Sequence, residues 1–159
     1  MLNKVVSGAQ TGVDRAALDA ALDLAIPCGG WCPSDRSADD GLIPERYPVE
    51  PLPSGGCRKR TEWNVRDSDG TLILASGALA GGSLLTRNLA RKHRKPYLIV
   101  DLNSTPDFRE ITGWIASEGV ETLNVAGPSE STCPGIQTRA YRLLHEVLST
   151  NRGVHTARP

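Results

Sequence analysis

The clearest strands of this chain read as unbroken apolar runs rather than as alternating ones: Thr71 to Ala75 is TLILA and Tyr97 to Val100 is YLIV. Strands that are apolar on both sides belong to a sheet covered on both faces, and such sheets are parallel. The segments between them carry apolar residues at three- and four-residue steps, the period of a helix with one buried face. Val13, Ala16, Ala17, Ala20, Ala21 and Leu24 do so around Asp14–Leu24, and Leu84, Leu85 and Leu89 do so within Leu84–Lys92. Phe108, Ile111, Trp114 and Ile115 share a face of Asp107–Ser117, and Tyr141, Leu144 and Val147 or Leu148 share one of Gln137–Leu148. With Asn3–Val6 and Glu121–Ala126 as further strands, the order is strand and helix in alternation. The expected fold class is α/β, a mostly parallel sheet with helices on both faces. Its strands should include residues near Val5, Leu72, Leu98 and Leu123.

One domain over residues 1–150 accommodates these elements, with a frayed tail at 151–159. Ile26–Trp31 reads as a short strand broken by Gly29 and Gly30, and Arg60–Asn64 as one or two helical turns. Cys32–Gly56 holds five prolines and admits no long regular element, so it is expected as a functional loop and a wall of any site. The chain carries 18 basic and 18 acidic side chains, a balance that argues against wholesale nucleic-acid binding. No apolar run reaches the length of a membrane span, and no leader pattern is present, so cytoplasm is the expected location. Cys28, Cys32, Cys57 and Cys133 lack metal-ligand spacing and are expected as free thiols, and no metal site is expected.

Function is expected beyond the carboxyl ends of the strands, where the loops of a parallel sheet gather. Three Gly/Ser-rich loops fall there: Ser7–Gly12, Ser76–Ser83 and Gly127–Pro134. The first, SGAQTG, opens a helix, and free amides with a positive dipole end make such a start an anion site. Gly8 and Gly12 leave room for a ligand, with Gln10 between them, and Thr11 either caps the helix or donates its hydroxyl to the anion. Arg15 in the first turn opposes the dipole, so it either offsets a bound anion or pairs with Asp14 or Asp19. The second loop brings Gly81, Gly82, Ser83 as N-cap, and Thr86 one turn on. The third brings Ser129, Ser131 and Thr132, with Pro134 as a first helical residue.

SGAQTGVD lacks the Lys-Ser/Thr pair of a P-loop and is one residue short of GxGxxG, so neither ATP hydrolysis in that manner nor dinucleotide binding is expected. Arg36 is a candidate anion clamp, and Arg60 and Asn64 share a helical face with Thr61 that reaches the cleft from the side. Asp67 and Asp69 read either as acid–base groups or cation ligands, or as turn caps. Trp114 is core; Trp31 either stacks on a planar ligand or packs inward. His93 belongs to a solvated cationic helix end.

Taken together, SGAQTGVDRAALDAAL, GGWCPSDRSADDG, RTEWNVRDSDGTLIL, GGSLLT, KPYLIVDL and NVAGPSES resemble the molybdenum cofactor carrier protein family. That family is a branch of the superfamily of lysine-decarboxylase-like and DNA-processing protein A Rossmann-like proteins. The resemblance runs from about Lys4 to Leu148. It implies a Rossmann-like three-layer sandwich and a cleft at the strand ends. It also implies a phosphorylated pterin ligand, the molybdenum cofactor or molybdopterin, whose phosphate site phosphate or sulfate can share, and a homodimer or homotetramer. Related members bind or cleave nucleoside monophosphates through a PGGxGTxxE signature. In AGGSLLTRN the glycine pair and threonine survive as Gly81, Gly82 and Thr86, but Arg87, Asn88 and Leu89 stand where the glutamate would be. The expectation is therefore a non-catalytic carrier. A nucleotide-binding protein or nucleoside-monophosphate N-glycosidic hydrolase is the alternative.

Overall fold

Alanine decides how closely the first helix approaches the sheet. In the computed structural model, which describes residues 1–152, the first strand β1 (Lys4–Val6) runs into helix α1 (Val13–Asp23). Ala16, Ala17, Ala20 and Ala21 of that helix are fully buried. The chain continues as β2 (Cys28–Gly29), β3 (Trp31–Cys32), β4 (Ser37–Ala38), β5 (Gly41–Leu42), β6 (Glu50–Pro51), α2 (Cys57–Arg66), β7 (Gly70–Ala75) and α3 (Gly81–Lys92). It ends with β8 (Tyr97–Asp101), α4 (Phe108–Glu118), β9 (Thr122–Ala126) and α5 (Ile136–Arg152).

Five strands form one parallel sheet in the order β2-β1-β9-β7-β8. Val5 lies opposite Cys28 and Leu123, and Leu72 opposite Leu98 and Val125, so the four expected strand centres share one layer. One face packs Val5, Leu72, Leu74, Val100, Leu123 and Val125 against α1, α4 and α5. The other carries α2 and α3, which meet through Val65, Leu89 and Ala90. This is the expected Rossmann-like sandwich. From β1 the chain steps to one edge of the sheet and from β7 to the other, while β9 returns between them. The loops after β1, β7 and β9 therefore part around a crevice at the carboxyl edge, the usual ligand position in open α/β sheets.

Two boundaries differ from the sequence reading for local reasons. The strand expected over Ile26–Trp31 splits at Gly30, whose φ of 122° turns the chain out of the main sheet. β2 stays in that sheet, and β3 leaves it to pair with β6 through Trp31–Glu50 and Cys32–Pro51. Likewise the turns expected at Arg60–Asn64 are the middle of the longer α2. Asn151, read as tail, is the penultimate residue of α5; the remaining tail residues, 153–159, lie outside the described residues.

The Pro-rich segment after Cys32 contributes Asp39 and Asp40 to a shallow hollow and no residue to the main cleft. It builds a second small core, in which Cys32, Ile43, Tyr47 and Val49 pack on Ala9 and Leu18. Arg36, in the left-handed region at φ 55°, donates to the carbonyls of Ile43, Pro44 and Val49 and thereby holds the segment's fold.

The β1–α1 and β9–α5 loops touch backbone to backbone. Gly12 sits at φ 86° and ψ −132°, and a Cβ there would lie 2.3 Å from the carbonyl oxygen of Pro128. A side chain at this position meets both a backbone angle reserved for glycine and a rigid neighbour. Gly12→Ala should lower unfolding free energy by about 3 kcal/mol or more. Urea denaturation against the parent protein measures this.

Candidate functional site

The three glycine-bearing loops converge on a cleft of about 430 Å³ on the α2–α3 side of the sheet. Of the residues singled out from the sequence, Gly8, Gln10, Arg60, Asn64, Gly81, Gly82, Ser83, Thr86 and Ser129 line it. Thr11 and Arg15 line instead a shallower hollow with Asp39, Asp40 and Glu130. Gly12 and Arg36 border neither.

The start of α1, read from the sequence as an anion cradle, has its amides engaged by the protein. Thr11 N–H donates to Gln10 Oε1 at 2.9 Å, Gly12 N–H to Gln137 Oε1 at 2.9 Å, and Val13 N–H to the Pro128 carbonyl at 3.2 Å. Thr11 does not cap the helix; its hydroxyl oxygen accepts from the Glu130 amide at 3.2 Å. Gln10 Oε1 also accepts from the Asp39 amide, at 2.9 Å, tying this loop to the Pro-rich segment. Arg15 pairs with Asp40 rather than with Asp14 or Asp19, and donates to the Ala9 carbonyl at 3.1 Å. The third loop is closed in the same way. Glu130, not Pro134, prepares α5, its carboxylate accepting from the amides of Gly135 at 2.5 Å and Gln137 at 2.9 Å.

The start of α3 is open. Its N-cap is Ala80, one turn earlier than the expected Ser83, and no side chain caps it. The amides of Gly81, Gly82 and Ser83 meet no protein acceptor among the described residues. Nothing lies within 4 Å of a Cβ added at Gly81 or Gly82. Free donors, the positive end of a 12-residue helix and empty space before them form an anion cradle. Ser83 and Thr86 are buried beside it, Thr86 donating its hydroxyl proton to the Gly82 carbonyl at 2.7 Å.

Several polar candidates hold the frame around the cleft. Asn64, buried, accepts from the Trp31 amide at 2.8 Å and donates to the Trp31 carbonyl at 3.0 Å, pairing as a strand neighbour would. Trp31 is outside the cleft lining: its ring packs edge-on against Trp63 at 4.8 Å, and its indole N–H donates to Asp67 at 2.8 Å. Asp69 accepts from the amides of Glu121 and Thr122, at 3.1 and 2.8 Å, and so positions the start of β9. Trp114 packs against the main core as expected.

Some lining residues were not singled out as ligand contacts in the sequence reading. Asn124 projects from the middle of β9, donating to Thr71 Oγ1 at 3.2 Å, and Cys133 closes the third loop. Asp14 is the most unusual: its side chain faces the cleft although the residue is only 8% exposed. Burial raises its pKa to about 6, against the opposing effects of Arg60, of the Gln10 and Gly8 amides, and of Arg15. The available signal was a carboxylate in the first turn of a helix whose buried face is rich in alanine.

The raised value means that the folded protein holds this proton more tightly than the unfolded chain, whose carboxyl titrates near ~4. Asp14 therefore costs stability progressively as pH rises from about 4 through about 6, and the full cost stands above that. Asp14→Asn should raise unfolding free energy by about 1–3 kcal/mol near pH 8 and change it little near pH 4. Urea denaturation of both proteins at the two pH values checks the sign.

Residues 5–148 match the model of the circularly permutated YpsA SLOG family. The fold superposes with a TM-score of 0.87 on the crystal structure described as "Putative molybdenum carrier protein" from Syntrophus aciditrophicus. The two sequences are 42% identical over 92% of this chain and 95% of that one. No curated protein sequence matches significantly. The match spans every strand of the main sheet and all three converging loops, and the chain belongs to the circularly permutated YpsA SLOG family.

Proposed function

We propose that this protein binds and carries a phosphorylated pterin, the molybdenum cofactor, without transforming it. The observation that carries the reading is the open start of α3: three amides without protein acceptors, facing a cleft of about 430 Å³. The amides of Gly81, Gly82 and Ser83 would hold the terminal phosphate, with the Ser83 hydroxyl beside them. Arg60, the one cation lining the cleft among the described residues, gives the cleft a positive charge that favours an anionic ligand as a whole. Much of the rest of the cleft is walled by backbone and small side chains from the β7–α3 and β9–α5 loops. When bound, the cofactor supplies the chemistry of its dithiolene-held metal. The molybdenum carrier described for Syntrophus aciditrophicus supports this choice of ligand over a nucleotide. In this reading the protein works in the cytoplasm as a homo-oligomer, and nucleic acid is no partner. No helix of the described residues is long and apolar enough to cross a membrane.

Gly82→Asp places a carboxylate in the phosphate position without steric conflict, since a Cβ there meets open space. It should weaken binding of a pterin monophosphate at least tenfold in anaerobic calorimetry, while Gly82→Ala stays close to the parent. Equal affinities in all three proteins would place the phosphate elsewhere. Mass spectrometry of the protein purified without denaturation should find a pterin-containing ligand. A panel of nucleoside monophosphates should yield no free base. Base release lost on Asp14→Asn would replace carriage by N-glycosidic hydrolysis, because Asp14 is the buried carboxyl able to donate a proton in the cleft.

A further inference from the structure

Gly8 seats two charged side chains from different elements in one place. The position that a Cβ would take on Gly8 lies 2.8 Å from Arg60 Nε of α2 and 3.0 Å from Asp14 Oδ2 of α1. Both residues line the cleft, and they do not form an ion pair with each other. Arg60 donates to the Gly8 carbonyl at 3.3 Å through Nη1 and keeps further N–H groups for other acceptors. The Asp14 carboxylate accepts from no side chain of the protein, although the residue is more than nine-tenths buried. The backbone amides of Gly8 and Gln10 donate toward this carboxylate, and its remaining lone pairs, beside a guanidinium and on the lining of an open cleft, leave acceptor capacity for a ligand.

We infer that Asp14 and Arg60 read the ring end of the ligand, and that the edge they select is a 2-amino-4-oxopyrimidine. This rests on the reading of the cleft as a site for a phosphorylated heterocycle. Such an edge is common to guanine and to pterins. It presents in order a carbonyl acceptor, a ring N–H donor and an amino donor. Arg60 supplies the donor for the carbonyl, and the two oxygens of Asp14 accept from the ring N–H and the amino group. Hypoxanthine lacks the amino group and leaves one carboxylate oxygen unmatched. Adenine offers one amino donor and a ring acceptor, so it too makes one bond fewer. Each unmatched partner at a buried site typically costs about tenfold in affinity.

The test is calorimetry of the full chain with guanosine, inosine and adenosine 5′-monophosphates and with free pterin. The guanosine ligand should bind about tenfold more tightly than the other two nucleotides, and Asp14→Asn should erase that preference with little effect on the adenosine ligand. Should that variant not fold, the three ligands on the parent protein still decide the matter. A guanosine preference that persists in Gly82→Asp supports the ring-end assignment and removes the α3 cradle from the phosphate. Equal affinities for all three nucleotides, lost together in Gly82→Asp, keep the cradle and overturn the assignment to Asp14 and Arg60. Absence of binding by any of the four probes overturns both.

Discussion

The buried guanidinium of Arg15 holds together the parts on which the cleft depends. It lies in the first turn of α1, pairs with Asp40 of the Pro-rich segment, donates to the Ala9 carbonyl at 3.1 Å, and stands 5.4 Å from the centre of the Tyr47 ring. Ala9 is in the left-handed region at φ 62°, a conformation that an alanine keeps only when its surroundings impose it. The bond to its carbonyl is one such imposition, and its full burial in the second core is another. With Ala9 so held, Gly8 faces the cleft and Gln10 reaches the amide of Asp39. A cation near a helix start is opposed by the dipole, and here a carboxylate and a carbonyl compensate it.

That arrangement separates two helix starts that look alike in the sequence. Each follows a strand through a Gly-bearing turn with hydroxyl residues nearby. At α1 the neighbouring β9–α5 loop comes so close that its carbonyl and the Gln137 side chain take up the amides. At α3 no loop approaches, so the donors face open space. A division of labour follows: α1 contributes a carboxylate to the cleft and its loop contributes rigidity, while α3 contributes the positive pole. The Pro-rich segment supports the first loop from behind, away from the cleft lining.

Much of the architecture was legible because burial on both faces of a parallel sheet leaves a local mark. The TLILA run, the alanine stripe of α1 and the Ile111–Ile115 face of α4 each name their layer without reference to any partner. The gathering of three loops at one edge also followed from the strand–helix alternation of a parallel sheet. Where the reading departed from the structure, the deciding contact was distant in sequence. Asn64 lines the cleft as expected, but its amide also pairs with the backbone of Trp31, 33 residues away, which no local pattern announced. Arg36 was expected to clamp an anion and instead holds carbonyls of its own segment.

By itself the sequence determined the α/β layering, the parallel sheet and the edge at which the Gly-bearing loops converge, because periodicity and turn chemistry act over a few residues. It also determined which residue types could serve an anion. Only the tertiary structure decided which of them do other work. A helix amide is free or engaged according to what packs against it, and a carboxylate's proton affinity depends on the solvent excluded around it. Both are properties of neighbours brought together from opposite ends of the chain: Gln137 lies 125 residues from the Gly12 amide that it accepts. Asp14 became a buried carboxylate on the cleft lining, and Thr11 a link to the Glu130 amide, by the same closure of loops.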